Sequence, residues 1–262
     1  MTVSISLDEI GRTVALAHMA GQAIMEIYGG DFTVETKDDL SPITAADRAA
    51  ERIIEAGLSA LTPGILIVGE EAFATGQAPT IQKDRPFWLV DPLDGTKEFV
   101  KRNGEFTVNI ALIDAGRPVM GVVHAPAIGE TYWASRAGAF AETRTAPTHA
   151  IKARRPPREG LVALVSRSHP SPETQRYLAT LNIKREMEAG SSLKFCLVAA
   201  GRADIYPRFG RTMEWDTAAG HAVLRFAGGS VTDVNGDELL YGKPGLENPP
   251  FIASGANADQ PK

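Results

Sequence analysis

Three short acidic stretches carry the residue types and spacing that could do chemistry: Gly69-Glu70-Glu71, Asp91-Pro92-Leu93-Asp94-Gly95-Thr96 and Glu214-Trp215-Asp216. In the middle stretch two carboxylates stand three residues apart. Pro92 between them fixes φ and removes a backbone donor, and Gly95 permits a tight turn toward a helix start. Like charges held that close repel strongly unless a cation lies between them or one takes up a proton. A hard divalent cation is the economical answer. Magnesium takes six oxygens at about 2.0–2.1 Å, keeps several waters, and uses a few carboxylates together with phosphate oxygens of a substrate. The only cysteine is Cys196, which excludes an internal disulfide framework and a cysteine-based zinc cluster. Metal chemistry in this chain therefore has to use oxygen.

Each stretch also has an ordinary reading. Glu70 and Glu71 suit a solvated turn, Asp216 suits a helix N-cap, and Asp91 to Gly95 suits a type I turn with acidic corners. Their co-occurrence favours chemistry, because strand ends return to the same edge of a sheet and can converge although distant in sequence.

The elements that must position these acids follow from the hydrophobic pattern. Ser6 and Glu9 form a capping-box spacing ahead of a helix that Gly29 and Gly30 stop. Thr44 and Asp47 repeat that spacing before a second helix closed by Pro63 and Gly64. Short β-branched or apolar runs at 65–68, 87–90, 107–113, 121–123 and 131–133 read as strands of one sheet. The Pro- and Arg-rich stretch at 144–160 marks a boundary, giving a first domain over 1–150 and a second over 151–262. The second half reads as a strand at 161–165, helices at 173–181 and 191–200, a strand at 204–207 and a helix after Asp216. The closing residues 257–262 read as a frayed end.

Composition bounds the function classes. With 262 residues, 44% hydrophobic and 23% charged, the chain has material for a full core, in one large domain or two smaller ones. A formal charge of −5 is the wrong sign for gripping long nucleic acid, leaving small anionic ligands. No run of about 18 apolar residues suggests a membrane span, although peripheral contact stays open. The start lacks the basic and apolar blocks of a signal peptide, so cytoplasm is expected, with a peripheral place on the cytoplasmic side of the inner membrane left open.

In their order along the chain, GEE, WLVDPLDGTKEF and EWDTAAGHAV resemble the motifs of the lithium-sensitive, magnesium-dependent phosphatases related to inositol monophosphatase. The resemblance runs over nearly the whole chain. VSRSH, GSSLKFCLVAAGRADIYPRFG and the Lys97-Glu98 pair, where inositol monophosphatases more often carry Thr-Asn, resemble the CysQ type of 3'(2'),5'-bisphosphate nucleotidase. This resemblance implies an α+β or α/β fold: a layered αβαβα sandwich of two α/β subdomains, as in the sugar phosphatases. It implies two Mg²⁺ ions, with a third near Glu70 and the Lys37-Asp38-Asp39 loop. Glu70, Asp91 and the Leu93 carbonyl would hold the first ion, and Asp91, Asp94 and Asp216 the second. Asp47 and Thr96 would orient and deprotonate the attacking water, and Gly95 and Thr96 N–H groups would face the phosphoryl oxygens.

By the same resemblance, Ser191, Lys194 and Arg208 would hold the phosphate that is not cut, with His169 a weaker candidate. Their ordinary readings are a helix cap, two solvated cations and a surface histidine. His221 reads as packing within its helix, and Trp88 and Trp215 as core residues. The implied reaction is hydrolysis of adenosine 3',5'-bisphosphate to AMP and phosphate in sulfate assimilation. Inositol 1-phosphate or a sugar phosphate is the alternative substrate, and lithium is the expected inhibitor. A non-catalytic nucleotide sensor and a nucleic-acid binder are weaker rivals, since the acid set is complete and the basic run at Arg154, Arg155 and Arg158 is short. A monomer or homodimer is expected.

Overall fold

The computed structural model describes residues 3, 5–30, 42–74, 76, 80–82 and 84–256. The Lys37-Asp38-Asp39 loop and residues 257–262 lie outside them, as do the side chains of residues 42–44.

Helix α1 (Leu7–Tyr28) begins as its capping box dictates: the Ser6 hydroxyl accepts from Glu9 N–H at 3.2 Å, and Ser6 N–H donates to the Glu9 carboxylate at 2.7 Å. Helix α2 (Pro42–Leu61) starts two residues ahead of Thr44. Asp47 therefore lies inside the helix rather than closing a capping box. Proline is well suited to that first helical turn, where its missing N–H has no partner to lose.

A seven-stranded sheet follows in sequence order: β1 (Leu66–Gly69), β2 (Phe87–Asp94), β3 (Thr107–Asp114), β4 (Arg117–Ala125), β5 (Glu130–Ser135), β6 (Gly138–Thr143) and β7 (Ala146–Ala150). Only β1 and β2 pair in parallel, and the rest form an antiparallel meander. Two short helices, α3 (Glu70–Ala74) and α4 (Thr96–Val100), leave the ends of β1 and β2.

The second sheet has the order β11-β12-β10-β8-β9, built from β8 (Leu161–Ser166), β9 (Ile183–Ala189), β10 (Ile205–Arg208), β11 (Ser230–Asp233) and β12 (Phe251–Ser254). Helices α5 (Pro172–Leu178), α6 (Leu193–Ala199) and α7 (Trp215–Phe226) alternate with its strands.

Three hydrophobic clusters define the layers. Ile10, Ala17, Ile24, Ile54 and Leu58 of α1 and α2 pack on Trp88, Val90, Val108 and Ile110 from one face of the first sheet. The opposite face, with Leu89, Ala111 and Val123, shares a core with α6, α7 and Val162, Leu164 and Phe251 of the second sheet. Leu178 of α5 covers that sheet's outer face at Ala163 and Ile205. The order is α, β, α, β, α, the layered sandwich expected from the resemblance.

Several local expectations are corrected. Residues 146–150, inside the stretch read as a linker, form β7, an exposed edge strand whose side chains carry no apolar pattern to betray it. Strand β9 was hidden for the same reason: Lys184, Arg185, Glu186 and Glu188 face solvent while the backbone pairs with β8. The helix expected to reach Leu181 ends at Leu178. Arg154 is not a free linker cation but pairs with Asp204 through two bonds of 2.7 Å. Among the described residues no helix is long and apolar enough to cross a membrane.

Candidate active site

Asp91 and Asp94 owe their shared direction to an irregularity. Residues three apart on a regular strand point to opposite faces. Here the β2–β3 register runs Asp91 opposite Asn109 and Asp94 opposite Thr107, so one extra residue bulges out of β2 and both carboxylates reach the same cleft. Glu70 arrives as the first residue of α3, directly beyond β1, and Asp216 as the second residue of α7. Glu214, not Asp216, occupies the cap position of α7, and the Asp216 carboxylate accepts from Met213 N–H at 2.8 Å. Gly95 sits at φ +93, a conformation open to glycine, and turns the chain into α4.

These elements bring Glu70, Asp91, Leu93, Asp94, Gly95, Thr96, Ser191, Lys194, Arg208 and Asp216 around one cleft of about 240 Å³. Asp47 does not line it. Its carboxylate is buried behind the acidic wall, its Oδ1 has no hydrogen-bond partner, and no direct hydrogen bond joins it to Thr96.

The acids sit under electrostatic stress. Burial first, then the charges of Glu70, Asp94 and Asp216, push the Asp91 carboxyl well above the usual range. Burial and Asp94 raise Glu70 to about 7. Burial and Asp94 likewise raise Asp216 to about 8, and burial with Glu70 and Glu71 raises Asp47 to about 8. Asp94 is raised by burial, an effect opposed by Lys194 and by hydrogen bonds from Ser192 and Asn109. Glu70 is the first of the charges that raise Asp91, so these neighbouring carboxylates do not readily both ionise.

A crowd of buried oxygens that cannot all ionise, together with the orphaned Asp47 Oδ1, fits a hard divalent cation. Among the described residues no three acid, histidine or cysteine side chains already converge as a coordination shell. Several carboxylate oxygens are instead turned to protein donors: Asp91 to Leu93 N–H at 3.0 Å, Asp94 to Ser192 N–H at 2.6 Å, and Asp216 to Met213 N–H.

The facing wall is basic. Lys194 is not solvated; it is 4% exposed, donates to the carbonyls of Ser191 at 2.7 Å and Ala189 at 3.3 Å, and lies over the Tyr206 ring. Burial lowers its ammonium to about 8. Arg208 presents a buried Nε with no partner. The Ser191 hydroxyl accepts only from Leu193 N–H, at 3.4 Å, its backbone holds φ +47, and Ser192 takes the cap position of α6. His169 is exposed at the rim, its imidazole lowered by burial and by Lys97 and Arg208.

Sequence reasoning missed Arg211 and Thr212, which also line the cleft, although both stand in the stretch leading to Asp216. It also missed Asn109 and Ser192, which bond to Asp94. The alternation of β3 was the available signal for Asn109. Trp88 and Trp215 are core residues as expected. His221 is buried and bonds Tyr241, outside its own helix, at 3.0 Å.

A fold of this layering with acids at the ends of β1, β2 and α7 defines a class, and the comparisons agree: residues 7–260 match the inositol monophosphatase family, and the chain belongs to it. Family membership implies use of a divalent metal. More narrowly, the chain is 48% identical over 252 residues to the 3'(2'),5'-bisphosphate nucleotidase CysQ of Escherichia coli O6:H1, covering 95% of this chain and 99% of that one. It is also similar in structure to CysQ from Bacteroides thetaiotaomicron, with a TM-score of 0.83, 38% identity, and 95% and 98% of the two chains covered. An inositol monophosphatase from Zymomonas mobilis is further away, with a TM-score of 0.77, 26% identity, and 97% and 95% coverage.

Proposed function

We propose that the protein is a magnesium-dependent 3'(2'),5'-bisphosphate nucleotidase that converts adenosine 3',5'-bisphosphate to AMP and phosphate. The observation that carries the reading is one cleft with an acidic and a basic wall, suited to a ligand bearing two phosphates. The identity to CysQ relatives supports the same substrate. Such an activity belongs in sulfate assimilation and in the cytoplasm.

Glu70, Asp91 and the Leu93 carbonyl would hold one Mg²⁺, and Asp91, Asp94 and Asp216 a second. When bound, such ions neutralise phosphoryl oxygens, acidify a water and stabilise the leaving oxygen. Asp47 and Thr96 would orient the attacking water and take its proton once the two side chains close a hydrogen bond in the loaded site, with the Asp47 carboxyl ionised. The free N–H groups of Gly95 and Thr96, at the start of α4, orient toward the phosphoryl group. Ser191, Lys194 and Arg208 grip the 5'-phosphate: two ammonium protons of Lys194 are engaged with carbonyls, leaving a third for the ligand.

The test is magnesium-dependent phosphate release from adenosine 3',5'-bisphosphate, inositol 1-phosphate and fructose 1,6-bisphosphate. The reading expects the bisphosphate nucleotide to turn over fastest and lithium to inhibit. Equal or faster turnover of inositol 1-phosphate overturns it. Sedimentation of the purified chain decides between the monomer and the homodimer.

A further inference from the structure

Asp94 and Asp216 reach the cleft from different elements, one from the bulged end of β2 and the other from the first turn of α7. To act on one cation they need a fixed separation, and neither element sets it. One residue touches both. Ser192, 1% exposed, donates its backbone N–H to Asp94 Oδ2 at 2.6 Å and its hydroxyl to the Asp216 backbone carbonyl at 2.5 Å. Behind it Asn109 Nδ2 donates to Ser192 Oγ at 3.0 Å and approaches Asp94 Oδ2 at 3.4 Å. With one bond donated and one accepted, the hydroxyl is fixed in direction.

The turn that carries Ser192 is itself held from two sides. Gly190 N–H donates to the Glu105 carboxylate at 2.8 Å, which Arg167 grips at 3.0 Å. A Cβ on Gly190 would meet the Glu98 side chain at 2.5 Å and the Glu105 carbonyl at 2.6 Å, so only glycine permits this approach. From the other side Lys194 pins the Ser191 carbonyl. Ser191 is kept at positive φ, which a non-glycine residue adopts only when its surroundings impose it.

We propose that Ser192, backed by Asn109, is a positioning residue that sets the spacing of Asp94 and Asp216 and so the affinity of the second divalent-ion site. The proposal rests on the reading that Asp91, Asp94 and Asp216 hold that ion. Removing the hydroxyl deletes no carboxylate and keeps the N–H bond to Asp94. It frees the Asp216 carbonyl and the Asn109 amide, so the loss falls on geometry rather than charge.

The experiment is a calorimetric titration of Mn²⁺ into the metal-free full chain, for the wild type, Ser192→Ala and Asn109→Ala. Substrate kinetics are run beside it across a Mg²⁺ series. In Ser192→Ala the first binding step is expected to stay within about twofold while the second weakens by about 10- to 100-fold, the range for partners that orient metal ligands. The Mg²⁺ concentration for half activation rises in parallel, and KM for the nucleotide is unchanged at saturating Mg²⁺. Two unchanged binding steps, or two equally weakened ones, overturn the proposal. If Ser192→Ala does not fold, Asn109→Ala decides: selective weakening of the second step supports the proposal, and an unchanged second step overturns it. A wild type without a second step overturns the metal reading, and the proposal with it.

Discussion

The two walls of the cleft are opposite in charge and alike in discomfort. On the acidic wall burial pushes Asp91, Asp94, Glu70 and Asp216 upward, and repulsion adds to the rise of Asp91, Glu70 and Asp216. On the basic wall burial pushes Lys194 down to about 8. Each wall would be relieved by a ligand of the opposite sign: on the proposed reading, cations on one and phosphate on the other. They differ in footing as well. The acidic wall stands mainly on β2, paired on both sides within a seven-stranded sheet, whereas the basic wall stands on a strained turn, a short helix and the end of β10. On the proposed reading, the chemistry would stand mainly on the paired strand and substrate choice on the turn and element ends opposite, a division of scaffold and loops that suits both tasks.

The strongest way to break this comparison is Asp91→Asn. It conserves shape and removes the carboxylate expected to serve both cations, so kcat should fall about a thousandfold or more, equivalent to several kcal/mol of lost charge stabilisation. The fall should be the same for every phosphate ester tested, because the acidic wall does not read the rest of the substrate. Phosphate release measures it, and a variant with undiminished turnover removes Asp91 from the chemistry.

Arg208→Ala probes the other wall. A lost charged hydrogen bond is worth roughly 1.5–3 kcal/mol, so kcat/KM for adenosine 3',5'-bisphosphate should drop about 10- to 100-fold. Adenosine 3'-monophosphate, which lacks the distal phosphate, should be processed as by the wild type. An equal drop on both substrates would assign Arg208 to the reacting phosphoryl group and erase the distinction between the walls.

The same division governs what was legible in the sequence. Asp91, Asp94 and Gly95 announce themselves because their spacing is local and each residue type has a physical job. The bulge that turns both carboxylates to one side is visible only in the register with β3, since a strand read alone places residues 91 and 94 on opposite faces. Asp47 was legible as an acid but not as one buried behind its neighbours, because the spacing from Thr44 suggested a helix start that lies at Pro42 instead. On the basic wall, Lys194 resembled an ordinary solvated lysine, and its burial depends on Tyr206 and the carbonyls of Ala189 and Ser191. The α/β character of the second half could be read from its alternating elements and the layer order followed only from the family resemblance, whereas the exposed edge strands β7 and β9 have no apolar rhythm to reveal them.

A pH series sharpens the comparison because the walls titrate with opposite signs. Asp47, Glu70 and Asp216 move from about 4 in an unfolded chain to about 8, 7 and 8 when folded. Between those limits the folded state binds more protons than the unfolded one, so stability falls as pH rises from about 5 to 8. Lys194, lowered from 10.5 to about 8, leaves the folded state with fewer protons between those values, so its contribution rises with pH there. In EDTA the melting temperature should therefore decline toward pH 8 and then level. Mg²⁺ should raise it more at pH 8 than at pH 6, with protons released on binding. A metal-free melting temperature that climbs steadily from pH 5 to 8 would mean that the carboxylates are not crowded as described.

The smallest effect on catalysis is expected at Arg154, which serves neither wall. Its guanidinium bonds both oxygens of Asp204 at 2.7 Å, and Asp204 also accepts from Val162 N–H at 2.7 Å, tying residues 154, 162 and 204 together at one end of the second sheet. Asp204 is fully buried, but the arginine side chain is 40% exposed, so water can replace it when it is removed. The loss is then about 1–2 kcal/mol rather than the 3–5 kcal/mol of a wholly buried pair, which for a chain of this size lowers the melting temperature by a few degrees. In Arg154→Ala, thermal unfolding should show that shift while kcat/KM for the bisphosphate nucleotide stays within about twofold. The contrast with Arg208→Ala is informative because both remove an arginine that packs on the second sheet, one at the cleft and one away from it. If Arg154→Ala also lowers kcat/KM, the second sheet transmits strain to the cleft, and the basic wall cannot be treated as an independent grip on the distal phosphate.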